Sequence, residues 1–101
     1  NLKHERIAVK KDIISTINRL KTSYNNLKLL EKNKKVAQKS YNISQKRFEN
    51  GNIKSQDLAQ ERERLNQTYI SYLNAFIDYK LAQADLKRKT FYNFRKNKNL
   101  F

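Results

Sequence analysis

The sequence has 101 residues with one glycine, no proline and no cysteine, and it carries a formal net charge of +14. That composition excludes a disulfide framework, a thiolate metal centre and a glycine-rich phosphate loop, and it favours helix over sheet because nothing interrupts the backbone ladder. The 38% hydrophobic content lies below the roughly 45–50% of globular domains, so a chain this short is expected to lean on partners. The N-terminal NLKHERIAVKK has charges where a signal peptide keeps its apolar core. The longest apolar-rich run, YISYLNAFI at 69 to 77, is far short of the ~20 residues that a membrane-spanning helix needs.

A first helix is expected over about 3–49. Apolar residues at 13, 17, 20, 24 and 27 recur at 4-3 spacing, the mark of a coiled-coil seam. The stripe then moves to Leu30, Ala37, Tyr41 and Phe48, which predicts a local change of winding after Leu27. An apex follows at 50–54, where Gly51 is suited to the left-handed conformation that ends a helix. Ser55 reads as the N-cap of the second helix, with Asp57 placing negative charge at the positive end of its dipole.

The second helix is expected over about 55–91, with a seam at 58, 62, 65, 69, 72, 76, 79, 83 and 86 and a basic tail at 92–101. The two arms pair as an antiparallel helical hairpin, an all-α fold. A centre near 52 or 53 gives partner numbers summing to about 106, so that Tyr41 meets Leu65 and Leu27 meets Tyr79. A second apolar stripe on the later helix, Ile70, Leu73, Ile77, Leu81 and Ala84, widens its face enough to serve a neighbouring hairpin, or simply widens the contact with the first arm.

The segment RFENGNIKSQDLAQERERLNQTYISYLNAFIDYKLAQADL resembles the hairpin repeat of TolC-like outer membrane efflux proteins, with an aromatic and Gly51 at the apex and Tyr72, Ala75 and Tyr79 spaced along the second arm. Upstream, SYNNLKLLEKNKKVAQKSY is similar to that family's first helix, and the likeness covers about residues 13–90. Two features depart from the pattern: the first arm is about a heptad short, and Asn50 and Asn52 flank the glycine where members often have apolar residues. The resemblance implies a trimer whose hairpins close an α-helical barrel, a tunnel through the periplasm of a Gram-negative bacterium that continues into an outer membrane channel. It implies an adaptor-contacting apex of Asn50, Gly51, Asn52, Ile53, Ser55 and Gln56, with Asp57 as an acid at the aperture, and inter-hairpin packing through the second stripe. Its partners would be copies of itself, a periplasmic adaptor protein and, through the adaptor, an inner-membrane pump. No strand pair for a membrane barrel is present, so the chain reads as a fragment of a larger protein.

The charge supports a different class, a basic coiled-coil module on nucleic acid or an anionic membrane surface. Residues 1–50 hold 13 Lys/Arg against 4 Asp/Glu, and residues 51–101 hold 10 against 5. The acids Asp57, Glu61, Glu63 and Asp78 lie opposite Lys34, Lys35, Lys39, Lys46 and Arg47 in the expected register, which would neutralise part of the excess across the hairpin. No zinc-finger spacing or RNP motif is present, and the aromatics fall mainly on the two seams, so nucleic acid is not expected as the partner. His4 has no second histidine or cysteine to complete a site, and Asp57 with Glu61 one turn later is ordinary first-turn acidity. The chain is expected to be neither an enzyme nor a cofactor binder.

Overall fold

The computed structural model describes the backbone of residues 2–99, and their side chains apart from 93 and 96–99. The chain forms two helices, α1 (Leu2–Glu49) and α2 (Ser55–Asn99), joined by a short turn as a helical hairpin. With no proline and no glycine inside either helix, nothing stops α2 near residue 91, and it takes in most of the expected basic tail. Leu100 and Phe101 lie outside the described residues.

The chain divides into two compact units. The apex unit, Asn26–Phe76, contains the turn and the adjoining parts of both helices. The terminal unit pairs Asn1–Asn25 with Ile77–Phe101.

In the apex unit the residues of α1 turned inward are Leu27, Leu30, Lys34, Ala37, Tyr41 and Ser44, and those of α2 are Leu58, Glu61, Leu65, Thr68, Tyr72 and Ala75. In the terminal unit Val9, Ile13, Thr16, Leu20 and Ser23 stand against Tyr79, Ala82, Leu86 and Lys89 at the same spacing, with Ile17, Gln83 and Asp85 half-buried beside them. Both sets step by four and three, the heptad spacing of a coiled coil.

The seam expected from the sequence therefore needs correcting at alternate positions. Leu58, Leu65, Tyr72, Tyr79 and Leu86 stand where they were expected, but the positions between them are Glu61, Thr68 and Ala75 instead of Arg62, Tyr69 and Phe76, and Ala82 is buried beside the half-buried Gln83. In α1, Thr16 and Ser23 share the work assigned to Ile17 and Tyr24, so the 4-3 count passes Leu27 with no skip and the expected change of winding disappears. The physical reason at Thr68, Ala75 and Ala82 is size: short side chains there let two helix backbones approach, whereas tyrosine and phenylalanine would hold them apart.

The register moves with the seam. Tyr24 stacks at a tilt on Tyr79 with ring centroids 5.6 Å apart, and Arg62 donates to the Tyr41 hydroxyl at 3.2 Å. Ser40 donates to Glu61 at 3.2 Å, and these three cross-helix contacts have partner numbers summing to 101–103, below the expected 106. By these contacts the centre of the hairpin lies nearer Gly51 than the expected 52 or 53.

Little of this seam is a hydrophobic core. Ala75 and Ala82, 3% and 0% exposed, are the buried apolar residues among those described, and Thr16 is the buried polar one. Thr16 satisfies its hydroxyl by donating to the Asp12 carbonyl at 2.9 Å.

Candidate functional site

The apex is built from backbone geometry. Gly51 has φ of 77°, a conformation that costs other residues a steric clash. Its N–H donates to the Phe48 carbonyl at 3.0 Å, and the Asn52 N–H donates to the Arg47 carbonyl at 2.8 Å, the paired bonds of a Schellman cap. Two carbonyls that the end of α1 would leave unpaired are satisfied in this way.

The start of α2 differs from the expected Ser55 cap. Lys54 is the cap residue: its carbonyl accepts the Leu58 N–H at 3.2 Å, and its own N–H donates to the Asp57 carboxylate at 3.1 Å. Asp57 occupies the third helical position, the place from which a carboxylate reaches back in a capping box. Ile53 before the cap and Leu58 one turn in are both half-buried, in the two positions of a hydrophobic staple. Of the apex residues singled out in the sequence, Asn50, Gly51, Asn52, Ser55, Gln56 and Asp57 are exposed and Ile53 is not. Asp57 is held by its capping bond, and Glu61 turns away from it into the seam, where it accepts from Ser40 at 3.2 Å.

Electrostatics differ from the expected cross-hairpin neutralisation. Lys34, placed opposite an acidic stretch by the sequence, lies over the Tyr72 ring at 4.1 Å and the Tyr69 ring at 5.3 Å. A half-buried ammonium is held there by the faces of two aromatic rings.

In the terminal unit, carboxylates do the pairing. Lys89 reaches Asp12 at 2.9 Å and Asp85 at 3.5 Å, while Asp85 also takes Arg88 at 2.8 Å and Arg19 at 3.3 Å. Partial desolvation pushes the Asp85 carboxyl up, but the hydrogen bond from Arg88 and the charges of Lys89 and Arg88 outweigh it and hold the group below 3.8. The hydrogen bond to Asp12 leads in raising Lys89 above 10.5, against desolvation and with help from the charges of Asp12 and Asp85.

The second stripe of α2 faces outward in both units. Ile70 and Leu73 in the apex unit, and Ile77 and Leu81 in the terminal unit, are each more than half exposed, and Ala84 is exposed as well. Sequence reasoning missed a matching set on α1, Leu29, Val36 and Ile43, which recurs every seven residues and is also more than half exposed. The heptad spacing was the signal for it, masked by the larger residues assigned to the seam. Among the described residues no group of histidines and carboxylates is gathered as a metal site, and no helix is long and apolar enough to cross a membrane.

The profile of the outer membrane efflux protein family matches residues 1–90. Neither curated proteins nor solved structures yield a match.

Proposed function

This chain belongs to the outer membrane efflux protein family, and from that premise we propose that it is a wall segment of the periplasmic tunnel of an efflux channel. The family is one of channels and not of enzymes, and the chain accordingly acts as a component of an outer membrane efflux channel. In the proposed role, hairpins from three chains stand side by side, with the Ile70, Leu73, Ile77, Leu81 and Ala84 stripe of one against the α1 stripe of the next. The tunnel lies in the periplasm of a Gram-negative bacterium and is passive, needing no cofactor. The exposed apex at Asn50, Gly51, Asn52, Ser55 and Gln56, with half-buried Ile53 behind it, meets a periplasmic adaptor, and through it an inner-membrane pump. Asp57 faces the aperture while its carboxylate caps α2.

The observation that carries this reading is the outward apolar face on both helices. Beyond the residues of the seam, Leu29, Val36, Ile43, Ile70, Leu73, Ile77 and Leu81 are each more than half exposed, apolar area that a neighbouring hairpin would cover. Analytical ultracentrifugation tests it. The chain is expected to self-associate, and joint replacement of Ile70, Leu73 and Ile77 with Gln is expected to leave a monomer of unchanged helix content. A wild-type chain that stays monomeric at high concentration would overturn the tunnel role.

A further inference from the structure

The last turns of α2 carry a surface that the tunnel reading does not use. Lys87, Phe91 and Phe94 recur at helical spacing on one face, and Arg88, Tyr92 and Arg95 on the next. The first set is turned away from the seam at Leu86 and Lys89, while Arg88 and Tyr92 border a cleft that Val9 and Asp12 of α1 also line. Phe91, Tyr92 and Phe94 are 62%, 64% and 65% exposed, more than any other aromatic residues described. The Arg95 guanidinium lies 5.8 Å from the Phe91 ring centroid, so cation and ring share one surface.

Charge is concentrated at the same level of the chain. Residues 1–11 and 87–98 together contain ten Lys/Arg and a single acid, Glu5, which is +9 of the total +14. Asp12 and Asp85 offset part of this charge through Lys89 and Arg88, whereas Lys87 and Arg95 are in no ion pair among the described residues. A surface of uncovered phenylalanine and tyrosine rings, set among cations, matches the chemistry of a bilayer interface. Aromatic rings settle there at headgroup depth, and lysine and arginine meet lipid phosphates.

We propose that the surface of α2 formed by Lys87, Arg88, Phe91, Tyr92, Phe94 and Arg95 docks on an anionic phospholipid surface. The proposal stands on the exposure and charge of these residues and does not depend on the tunnel role. A nucleic acid strand would also meet cations and stack on rings. The lipid is favoured because the rings are gathered on one short stretch, where a strand-tracking site would space them along a groove.

Flotation of the chain with vesicles of phosphatidylglycerol and phosphatidylcholine in equal amounts, and with vesicles of phosphatidylcholine alone, tests the proposal. Binding to the anionic vesicles and little to the neutral ones is expected. Lys87→Gln with Arg95→Gln should lower partitioning about thirtyfold, from roughly fivefold per cation. Phe91→Ser with Phe94→Ser should lower it about tenfold or more with charge unchanged, and circular dichroism of both pairs should match wild type because all four side chains are exposed. Absence of vesicle binding overturns the proposal. So does binding that the phenylalanine pair leaves unchanged, which would mark a polycation on any polyanion. Binding of a short single-stranded oligonucleotide that depends on Phe91 and Phe94, with no vesicle binding, would assign the surface to nucleic acid instead.

Discussion

The inner face of α2 alternates large residues with smaller or polar ones, while its outer face carries a further set of large apolar side chains. Inward, alternate layers hold Glu61, Thr68, Ala75 and Ala82; outward stand Ile70, Leu73, Ile77 and Leu81. Large apolar side chains stabilise most where they leave water, by roughly 1.5–3 kcal/mol for a fully buried leucine or isoleucine. An arrangement that gives alternate seam positions to alanine, threonine and glutamate while four large apolar residues stay more than half exposed leaves part of its apolar area without gain from its own fold. That part gains when another hairpin covers it.

The sharpest way to break this comparison is to exchange sizes at adjacent positions on opposite faces. Ala82→Leu should destabilise the chain by about 1–3 kcal/mol, because Ala82 is fully buried and a larger side chain must force the helices apart. Leu81→Ala should change stability by no more than about 0.5 kcal/mol in the monomer. Urea unfolding followed by circular dichroism, at concentrations low enough to prevent association, checks both. A larger loss from Leu81→Ala than from Ala82→Leu would mean that the faces have been assigned the wrong way round.

A smaller effect is expected where the two faces are set in phase, at the turn. Gly51→Val should cost about 1–2 kcal/mol, the penalty of a left-handed conformation for a residue with a Cβ. A Cβ at Gly51 would meet nothing within 4 Å, so the cost is one of backbone conformation and not of crowding. Gly51→Asn should recover most of it, since asparagine tolerates that region. Equal melting temperatures for the valine and asparagine variants would refute the conformational argument.

The smallest effect belongs to the carboxylate cluster on the seam edge. Asp85 is held below 3.8 in the folded chain, so its contribution is present above that value and is lost as pH falls through the lower folded value. Lys89 is raised above 10.5, so its contribution is present below that value and is lost as pH rises through the higher folded one. Between those limits the cluster should leave the melting temperature flat. Asp85→Asn should weaken the acid limb of the profile, and an unaltered acid limb would show that Asp85 does not contribute to it.

Much of this was legible in the sequence, and what was not has one cause. Gly51 could be assigned because its chemistry admits few other roles, and Leu58, Leu65, Tyr72, Tyr79 and Leu86 because they are both large and regularly spaced. Tyr69 and Phe76 were assigned inward because size was read as a sign of burial, yet they stand next to Thr68 and Ala75, one helical step of about 100° away. In a seam that favours small residues that rule points to the wrong neighbour. The outward stripe on α2 could be read because it does not compete with the seam for the same positions. Lys54 escaped notice as a cap because its side chain plays no part in the capping: the carboxylate three residues on does the work.

The pairing of one helix against the other across the Gly51 turn bears on how such a chain can change over evolutionary time. Removing one residue from α1 rotates everything beyond the cut by about 100° relative to α2, and no single substitution restores the match. Removing seven from one arm keeps each face but leaves unpaired residues at the far end of the other. Length should therefore vary by insertions or deletions in multiples of seven, mirrored at equal distances on either side of the glycine. A gap in one arm of any natural variant should have its counterpart in the other.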